Sequence, residues 1–248
     1  MRYNARMRTR WLPVITGLFV AVLLISNIAS VKFVNVWLFT FDGGTLLFPL
    51  SYIFGDILTE VYGYGASRKV IWTGFVSAAL MMGMLWLVGR IPGPTEAWTA
   101  ERQDAYTSIL LWGSRIVIAS LIAYFAGEFS NSYVLAKLKI ATKGRFLWIR
   151  TIGSTIVGEG VDTLLFCMIA FYDPANPSNI LMAIIVSNYV FKCGFEILAT
   201  PITYAVVIAL KRAEGIDVYD YKTNFNPFRI FARDMEGEEN VRSVAGAV

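Results

Sequence analysis

Apolar segments about as long as a bilayer is thick recur along most of this 248-residue chain, with short polar breaks between them. A helix rises ~1.5 Å per residue and needs about 20 mostly apolar residues to cross the hydrocarbon core. Six such segments are expected: about Leu12–Val31, Thr45–Tyr62, Val70–Val88, Ser108–Leu135, Leu147–Tyr172 and Asn179–Leu210. The second begins around Pro49, after the turn signal Asp42-Gly43-Gly44. The fourth and sixth exceed the minimum, which predicts tilt or extension into the cytoplasm, and Pro201 predicts a kink in the sixth. The fold class expected is therefore an all-α integral membrane protein with six transmembrane helices. Only 16% of the residues are charged, against roughly 25% in soluble domains, so an ordinary soluble globular fold is excluded.

Orientation follows from Lys and Arg, which cytoplasmic loops retain. Arg2, Arg6, Arg8 and Arg10 precede the first segment; Arg68 and Lys69 follow the second; Lys137, Lys139, Lys143 and Arg145 follow the fourth. Lys211, Arg212, Lys222, Arg229, Arg233 and Arg242 follow the sixth. The alternate loops hold only Lys32, Arg90 and Arg102, and the loop from Asp173 to Ser178 holds none. Both termini are thus expected in the cytoplasm, which requires an even number of crossings. This divides the chain into a basic cytoplasmic N-terminus (1–11), a transmembrane domain (12–211) and a C-terminal cytoplasmic tail (212–248). The tail, with Glu236, Glu238 and Glu239, is expected to be flexible and without chemistry. An arginine-rich start before an apolar stretch is also how a signal peptide begins. Against that reading, the stretch is long, it lacks an Ala-x-Ala site, and removing it would break the charge alternation.

Several chemistries are excluded outright. There is no histidine, which removes His-based triads, His-ligated metals and an imidazole proton switch. Cys167 and Cys193 lie in apolar runs without a Cys-x-x-Cys pair and read as buried thiols. No metal and no cofactor are expected.

Nine charged residues remain inside the segments: Asp56, Glu60, Arg115, Glu128, Arg150, Glu159, Asp162, Lys192 and Glu196. A charge at the bilayer centre costs at least ~2.5–3.5 kcal/mol on the most lenient insertion scale. With six acids and three bases, internal pairing cannot neutralise the set, so some carboxylates must be protonated, or face water or a ligand. Spacing puts Asp56 with Glu60, Glu159 with Asp162, and Asn188 with Lys192 and Glu196 on shared helical faces. A repeat is visible as well. Gly127-Glu128-Phe129-Ser130-Asn131-Ser132 matches Gly158-Glu159-Gly160-Val161-Asp162-Thr163 in the pattern Gly-Glu-x-x-(Asn/Asp)-(Ser/Thr), with Gly55-Asp56 and Thr59-Glu60 as a looser copy. The topology runs the fourth and fifth segments in opposite directions, as inverted repeats flanking a midplane site would.

Each position also has a structural reading. Arg115 and Arg150 lie near segment ends, where they can snorkel to headgroups. Glu128 is expected near the cytoplasmic boundary if its segment starts at Ser108. Lys192 with Glu196 can be an interhelical pair. Gly55, Gly127, Gly158 and Gly194 can serve close helix packing. Trp11, Trp98 and Trp148 read as interfacial anchors. Asp56 and Glu159 sit closest to mid-segment and are hardest to explain structurally.

Ser26-Asn27-Ile28, the run Phe54-Gly55-Asp56-Ile57-Leu58-Thr59-Glu60-Val61-Tyr62-Gly63, Phe129 to Ser132, Gly158 to Thr163 and the Lys192 to Pro201 stretch together resemble the queuosine precursor transporter family, also called vitamin uptake transporters. The similarity covers roughly residues 18–210, and the Gly-Asp-x-x-Thr-Glu-x-Tyr-Gly run is its most specific part. The resemblance implies a six-helix importer in a bacterial inner membrane for 7-cyano-7-deazaguanine, 7-aminomethyl-7-deazaguanine or queuine. A guanine-like edge offers a row of N–H donors that one carboxylate can accept in bidentate fashion. An aromatic-rich cavity can sandwich the flat ring.

Three functions therefore compete. In a secondary transporter, Asp56, Glu60, Glu159 and Asp162 would bind substrate or a coupling proton. Asn131, Ser132, Asn188, Lys192 and Glu196 would complete the cavity, with Arg115, Glu128 and Arg150 as structural or coupling charge partners. A substrate-capture subunit of an energy-coupling ATPase would need partners, since the chain carries no Gly-x-x-x-x-Gly-Lys-(Ser/Thr) loop. Only Gly17 and Ala21 hint at a small-residue face for such contacts. A membrane-embedded enzyme could use Asp56 with Asp162 for acid–base work. Nucleic acid is not an expected direct partner, membrane lipid is, and a homodimer stays open.

Overall fold

Inside a bilayer the backbone has no water to bond, so the apolar segments fold as helices that satisfy their own amides. A computed structural model describes residues 9–30, 32–36, 39–94, 96–111, 114–172, 178–230 and 241–243. The helices are α1 (Leu12–Ala29), α2 (Phe48–Arg90), α3 (Ala97–Leu110), α4 (Ser114–Ala141), α5 (Leu147–Phe171) and α6 (Ser178–Glu214). Among the described residues, five stretches are long and apolar enough to cross a membrane: Leu12–Ala29, Leu50–Arg90, Thr99–Ala141, Leu147–Phe171 and Leu181–Glu214. The protein is an all-helical integral membrane protein with two short ribbons. One pairs β1 (Phe33–Val36) with β2 (Phe39–Asp42), joining α1 to a 3₁₀ turn at Gly43–Leu46; the other pairs β3 (Ile216–Val218) with β4 (Val241–Ser243).

The expected second and third segments share the element α2, which is broken at Gly63 (φ 80°, ψ 169°). Neighbouring contacts give the direction of its two arms. In the first, Asp56 meets Asn131 and the Glu60 carbonyl meets Lys139, so this arm runs with α4. In the second, the Tyr64 ring meets Phe129, Trp72 meets Phe125, and the Ile71 carbonyl accepts from the Tyr124 hydroxyl, so this arm runs against α4. The Thr59 and Ser67 hydroxyls lie 2.8 Å apart, whereas eight residues of straight helix would separate them by ~12 Å. α2 is therefore a helical hairpin. A positive φ of this kind suits glycine alone, and a Cβ at Gly63 would lie 2.6 Å from Val218 Cγ1.

The expected fourth segment is corrected at both ends. Residues 108–110 belong to α3, a polar helix not anticipated from sequence, and α4 starts at Ser114 and runs on to Ala141. Glu128 thereby moves from a boundary to the centre of α4, fully buried. α6 continues through Pro201.

One end of the bundle gathers the start of α1, the Gly63 bend, the α4–α5 turn and the end of α6. The Arg10 and Trp11 amides donate to the Glu214 carboxylate, as does the Tyr62 hydroxyl. Beyond α6, residues 216–230 are strapped across this end. Asp220 accepts from the Tyr64 amide, Arg68 donates to the Asn224 and Asn226 carbonyls, and Trp72 Nε1 donates to the Pro227 carbonyl. Of the tail expected to be flexible, this part is packed. The remaining expectations there (Arg233, Glu236, Glu238, Glu239) lie outside the described residues, as do Arg2, Arg6, Arg8, residues 173–177 and the Trp98 and Trp112 side chains.

At the opposite end, Ser26 Oγ donates to the Gly44 carbonyl and Ser120 Oγ to Asn27 Oδ1. The apolar core runs through Phe19, Leu23, Ile57, Val61, Tyr64 and Ile71. Leu80, Val190, Leu198 and Ile202 stand exposed on the outside, the surface a bilayer covers.

Candidate functional site

The repeated Gly-Glu-x-x-(Asn/Asp)-(Ser/Thr) pattern becomes a contact. A Cβ on Gly127 would lie 2.8 Å from Asp162 Cβ, and one on Gly158 would lie 2.7 Å from Asn131 Cβ. The first residue of each copy thus faces the fifth residue of the other, and the reciprocal pair lets α4 and α5 approach backbone to side chain. Tyr52 of α2 wedges against both glycines. The close approach carries Glu128, Asn131, Glu159 and Asp162 to the bundle centre, all of them buried.

Three groupings of polar side chains result. The first opens on a cavity at the end away from the Gly63 bend, lined by Asn27, Ser30, Gly44, Thr45, Ser120, Asp162, Thr163, Phe166, Cys167, Asn188 and Lys192. Lys192 Nζ lies 2.7 Å from Asp162 Oδ2 and 3.0 Å from Glu159 Oε2, so one ammonium holds two carboxylates from α5. Asn188 and Lys192 line the cavity together, as their four-residue spacing on α6 requires.

The second grouping lies deeper. Asp56 Oδ1 accepts from Asn131 Nδ2 at 2.8 Å and from Ser154 Oγ at 3.4 Å. Ser132 Oγ accepts from Thr59 Oγ1 at 3.0 Å. Glu128 and Glu196 are buried with no basic side chain in ion-pair reach among the described residues.

The third is a charge lattice at the Gly63 end. Arg150 donates through Nη2 and Nε to the two oxygens of Glu60, at 2.7 and 3.1 Å. Lys211 approaches the same carboxylate at 2.6 Å and Lys139 at 3.6 Å. Asp217 bridges Lys139 at 2.6 Å and Lys211 at 2.8 Å. Burial alone would raise the Asp217 pKa, but the two ammoniums outweigh it and hold the carboxyl below its ordinary range. Arg150 is 1% exposed, so it does not snorkel. Its partner Glu60 is engaged by three cations and is not among the cavity-lining residues. Arg115 is exposed at the cavity end, where it donates to the Ile169 and Tyr172 carbonyls and closes the C-terminus of α5.

Of the residues singled out from sequence, the cavity wall takes Asp162, Asn188 and Lys192, with Glu159 joined through Lys192. Asp56, Asn131, Ser132, Glu128 and Glu196 lie beneath, and Glu60 with Arg150 belongs to the lattice. Sequence reasoning did not select Asn27, Thr45, Ser120 or Thr163 as cavity residues: they are uncharged and carry no insertion penalty to draw attention. It also read Lys139 and Lys211 as orientation signals only. Both lie inside helices, and only their partners distinguish them from Lys137. Among the described residues, no three Cys, Asp or Glu side chains are placed to hold a metal ion.

The chain matches the family model described as "Putative vitamin uptake transporter" over residues 42–206. A relative from Bacillus subtilis (strain 168), named "Probable queuosine precursor transporter", is 27% identical over 193 residues, covering 76% of this chain and 82% of the relative. A protein of the same name from Haemophilus influenzae is 26% identical, covering 66% of this chain and 67% of the relative. The "Queuosine precursor transporter" of Escherichia coli (strain K12) is 25% identical, covering 66% and 72%. No solved structure matches.

Proposed function

The chain belongs to the vitamin uptake transporter family, and from that membership we propose that it imports queuosine precursors, binding the 7-deazaguanine ring beside Asp162 and Lys192. The observation that carries the reading is the pair itself: a carboxylate and an ammonium, both buried, on the wall of a cavity inside a membrane bundle. Such a pair is costly in hydrocarbon unless a ligand uses it. A guanine-like edge presents adjacent N–H donors to a carboxylate and a carbonyl acceptor to an ammonium, in one plane. Asp162 and Lys192 supply both halves, with Glu159 holding Lys192 from its other side. Asn188, Ser120 and Asn27 add neutral groups, and Phe166 adds an aromatic face.

Alternating access needs one end shut while the other is open. We assign the Glu60, Arg150, Lys139, Lys211 and Asp217 lattice, with the strap at 216–230, to the closed cytoplasmic end. Arg10, Arg68, Lys69, Lys143, Arg145 and Arg212 belong to the same end of the chain's alternation, which supports placing it in the cytoplasm. With the α2 hairpin counted as two passes, this gives six crossings with both termini inside, in the bacterial inner membrane.

The test is uptake of radiolabelled 7-cyano-7-deazaguanine, 7-aminomethyl-7-deazaguanine and queuine into liposomes holding the purified protein alone. Saturable uptake of at least one base, lost in Asp162→Asn and Lys192→Ala, is expected. Uptake that needs an added ATPase would identify a capture subunit, and unchanged uptake in both variants would overturn the site.

A further inference from the structure

Charges on the cavity side of the lattice do not balance. Among the described residues, five buried carboxylates lie there, Asp56, Glu128, Glu159, Asp162 and Glu196, against the single ammonium of Lys192. Lys192 is spent on Glu159 and Asp162, and Asp56 draws on Asn131 and Ser154. Among the described residues, Glu128 and Glu196 have no cation in ion-pair reach, and neither carboxyl oxygen of Glu196 finds a hydrogen-bond partner, although the residue is 1% exposed. Asn131 Oδ1 and Thr155 Oγ1, each one turn from Glu128 and Glu159 respectively, are buried and also without a partner.

Apart from Lys192, which Glu159 and Asp162 hold, the groups facing both residues are acidic or neutral. Glu128 faces Ser51 and Tyr52 from α2, Tyr124 from its own helix, Glu159 and Asp162 from α5, and Glu196 from α6. Glu196 faces Asp56 from α2, Glu128 from α4, Glu159 from α5 and Cys193 from its own helix. An ionised carboxylate there would be desolvated and repelled by carboxylates on the neighbouring helices, and the Ser51 hydroxyl beside Glu128 brings a hydrogen bond but no charge. Among the described residues, no three acidic groups converge as a metal cage would need. A proton, which neutralises each carboxyl separately, is the cation that this geometry accommodates.

We propose that Glu128 and Glu196 are the proton-coupling groups of the transporter, carried as carboxylic acids in this form and discharged toward the cytoplasm during uptake. The inference rests on the transporter reading above. It also supplies a link between substrate and proton. Glu196 lies four residues beyond Lys192 along the same helix, on the same face. Once ionised toward the cytoplasm, Glu196 draws the ammonium away from the ring edge beside Asp162, so proton release promotes substrate release and, reciprocally, proton binding favours substrate binding.

The experiment uses purified full-length protein in liposomes with an internal pH dye and labelled 7-cyano-7-deazaguanine, a neutral base that brings no titrating amine of its own. In the wild type, an imposed inward proton gradient should drive accumulation with measurable proton influx. Glu196→Gln and Glu128→Gln should keep substrate counterflow within about threefold, while gradient-driven accumulation falls at least tenfold. Wild-type accumulation in both variants, or wild-type substrate flux with no proton movement, overturns the inference and leaves the transporter reading standing. No substrate flux in the wild type overturns the transporter reading and this inference with it. Infrared difference spectra between alkaline and acidic buffer give a readout independent of transport. A protonated-carboxyl band that weakens in each Gln variant is expected, and its absence from the wild type overturns the assignment.

Discussion

The Glu60 lattice predicts an asymmetry between two substitutions that break the same ion pair. Glu60 and Asp217 face Lys139, Arg150 and Lys211, so the lattice holds two negative and three positive charges, a formal +1. Glu60→Gln keeps the side chain's shape but raises this to +2, leaving Arg150 with no carboxylate and two lysines on Asp217 alone. Removing one partner of a buried pair costs about 3–5 kcal/mol when the other is stranded. Arg150→Met instead brings the lattice to neutrality, and Glu60 keeps Lys211 at 2.6 Å and Lys139 at 3.6 Å. What is lost is two charge-assisted hydrogen bonds to Glu60 together with those to Thr142 Oγ1 and the Arg145 carbonyl, partly offset by removing a desolvated guanidinium, which amounts to about 1–3 kcal/mol. At roughly 2–4 °C per kcal/mol for a chain of this size, Glu60→Gln should lower the melting temperature in detergent by about 6–20 °C and Arg150→Met by about 2–12 °C. A melting temperature for Arg150→Met at or below that of Glu60→Gln would refute this account of the lattice.

Three further outcomes follow from named contacts. Gly158→Ala places a Cβ 2.7 Å from Asn131 Cβ, where carbon atoms prefer ~3.5–4.0 Å; prying α4 from α5 should cost about 1–3 kcal/mol. Gly160→Ala, whose Cβ would meet only Tyr189 at 3.6 Å, should melt close to wild type, and equal losses at the two positions would contradict the reciprocal contact. Asp217, held below its ordinary range by Lys139 and Lys211, contributes stability that is complete above about pH 4 and lost as pH falls through its lowered value. Melting curves between pH 6 and pH 3 should therefore decline less steeply in Asp217→Asn than in wild type. Arg68→Met removes two hydrogen bonds to the strap, and amide exchange at residues 219–228 should accelerate, whereas exchange in α5 should not.

Periodicity and charge carried the sequence reading furthest where a residue was expensive to bury. Lys192, Asp162 and Glu159 stood out as charges on helical faces, and the structure joins them in one triad. The Gly-Glu repeat was visible as letters, and its meaning as a reciprocal glycine contact required knowing which helices touch. Glu128 was misplaced because the polar α3 and the apolar α4 adjoin, and no hydrophobic boundary separates Ser108 from Ser114. The lattice was hidden for a different reason. Lys139 and Lys211 follow apolar runs as orientation signals do, and nothing in their local sequence shows that Glu60 and Asp217 wait for them. The polar interval Gly63 to Lys69 marked a break inside α2, but the strap that closes over it comes from residues more than 150 positions away, beyond the reach of any local pattern. Of the neutral cavity residues, Asn27 stood out only as part of the Ser26-Asn27-Ile28 run and Ser120 not at all, because it is their mutual hydrogen bond that marks them as a pair.

The central claim is that the Asp162 and Lys192 pair holds the substrate. Equilibrium titration of the purified wild type and Asp162→Asn with 7-cyano-7-deazaguanine tests it most directly. Loss of a charge-assisted bidentate contact worth roughly 1.5–3 kcal/mol should weaken binding by about 10- to 150-fold, while Glu60→Gln, away from the cavity wall, should bind within about threefold of wild type. Wild-type affinity in Asp162→Asn would contradict the claim.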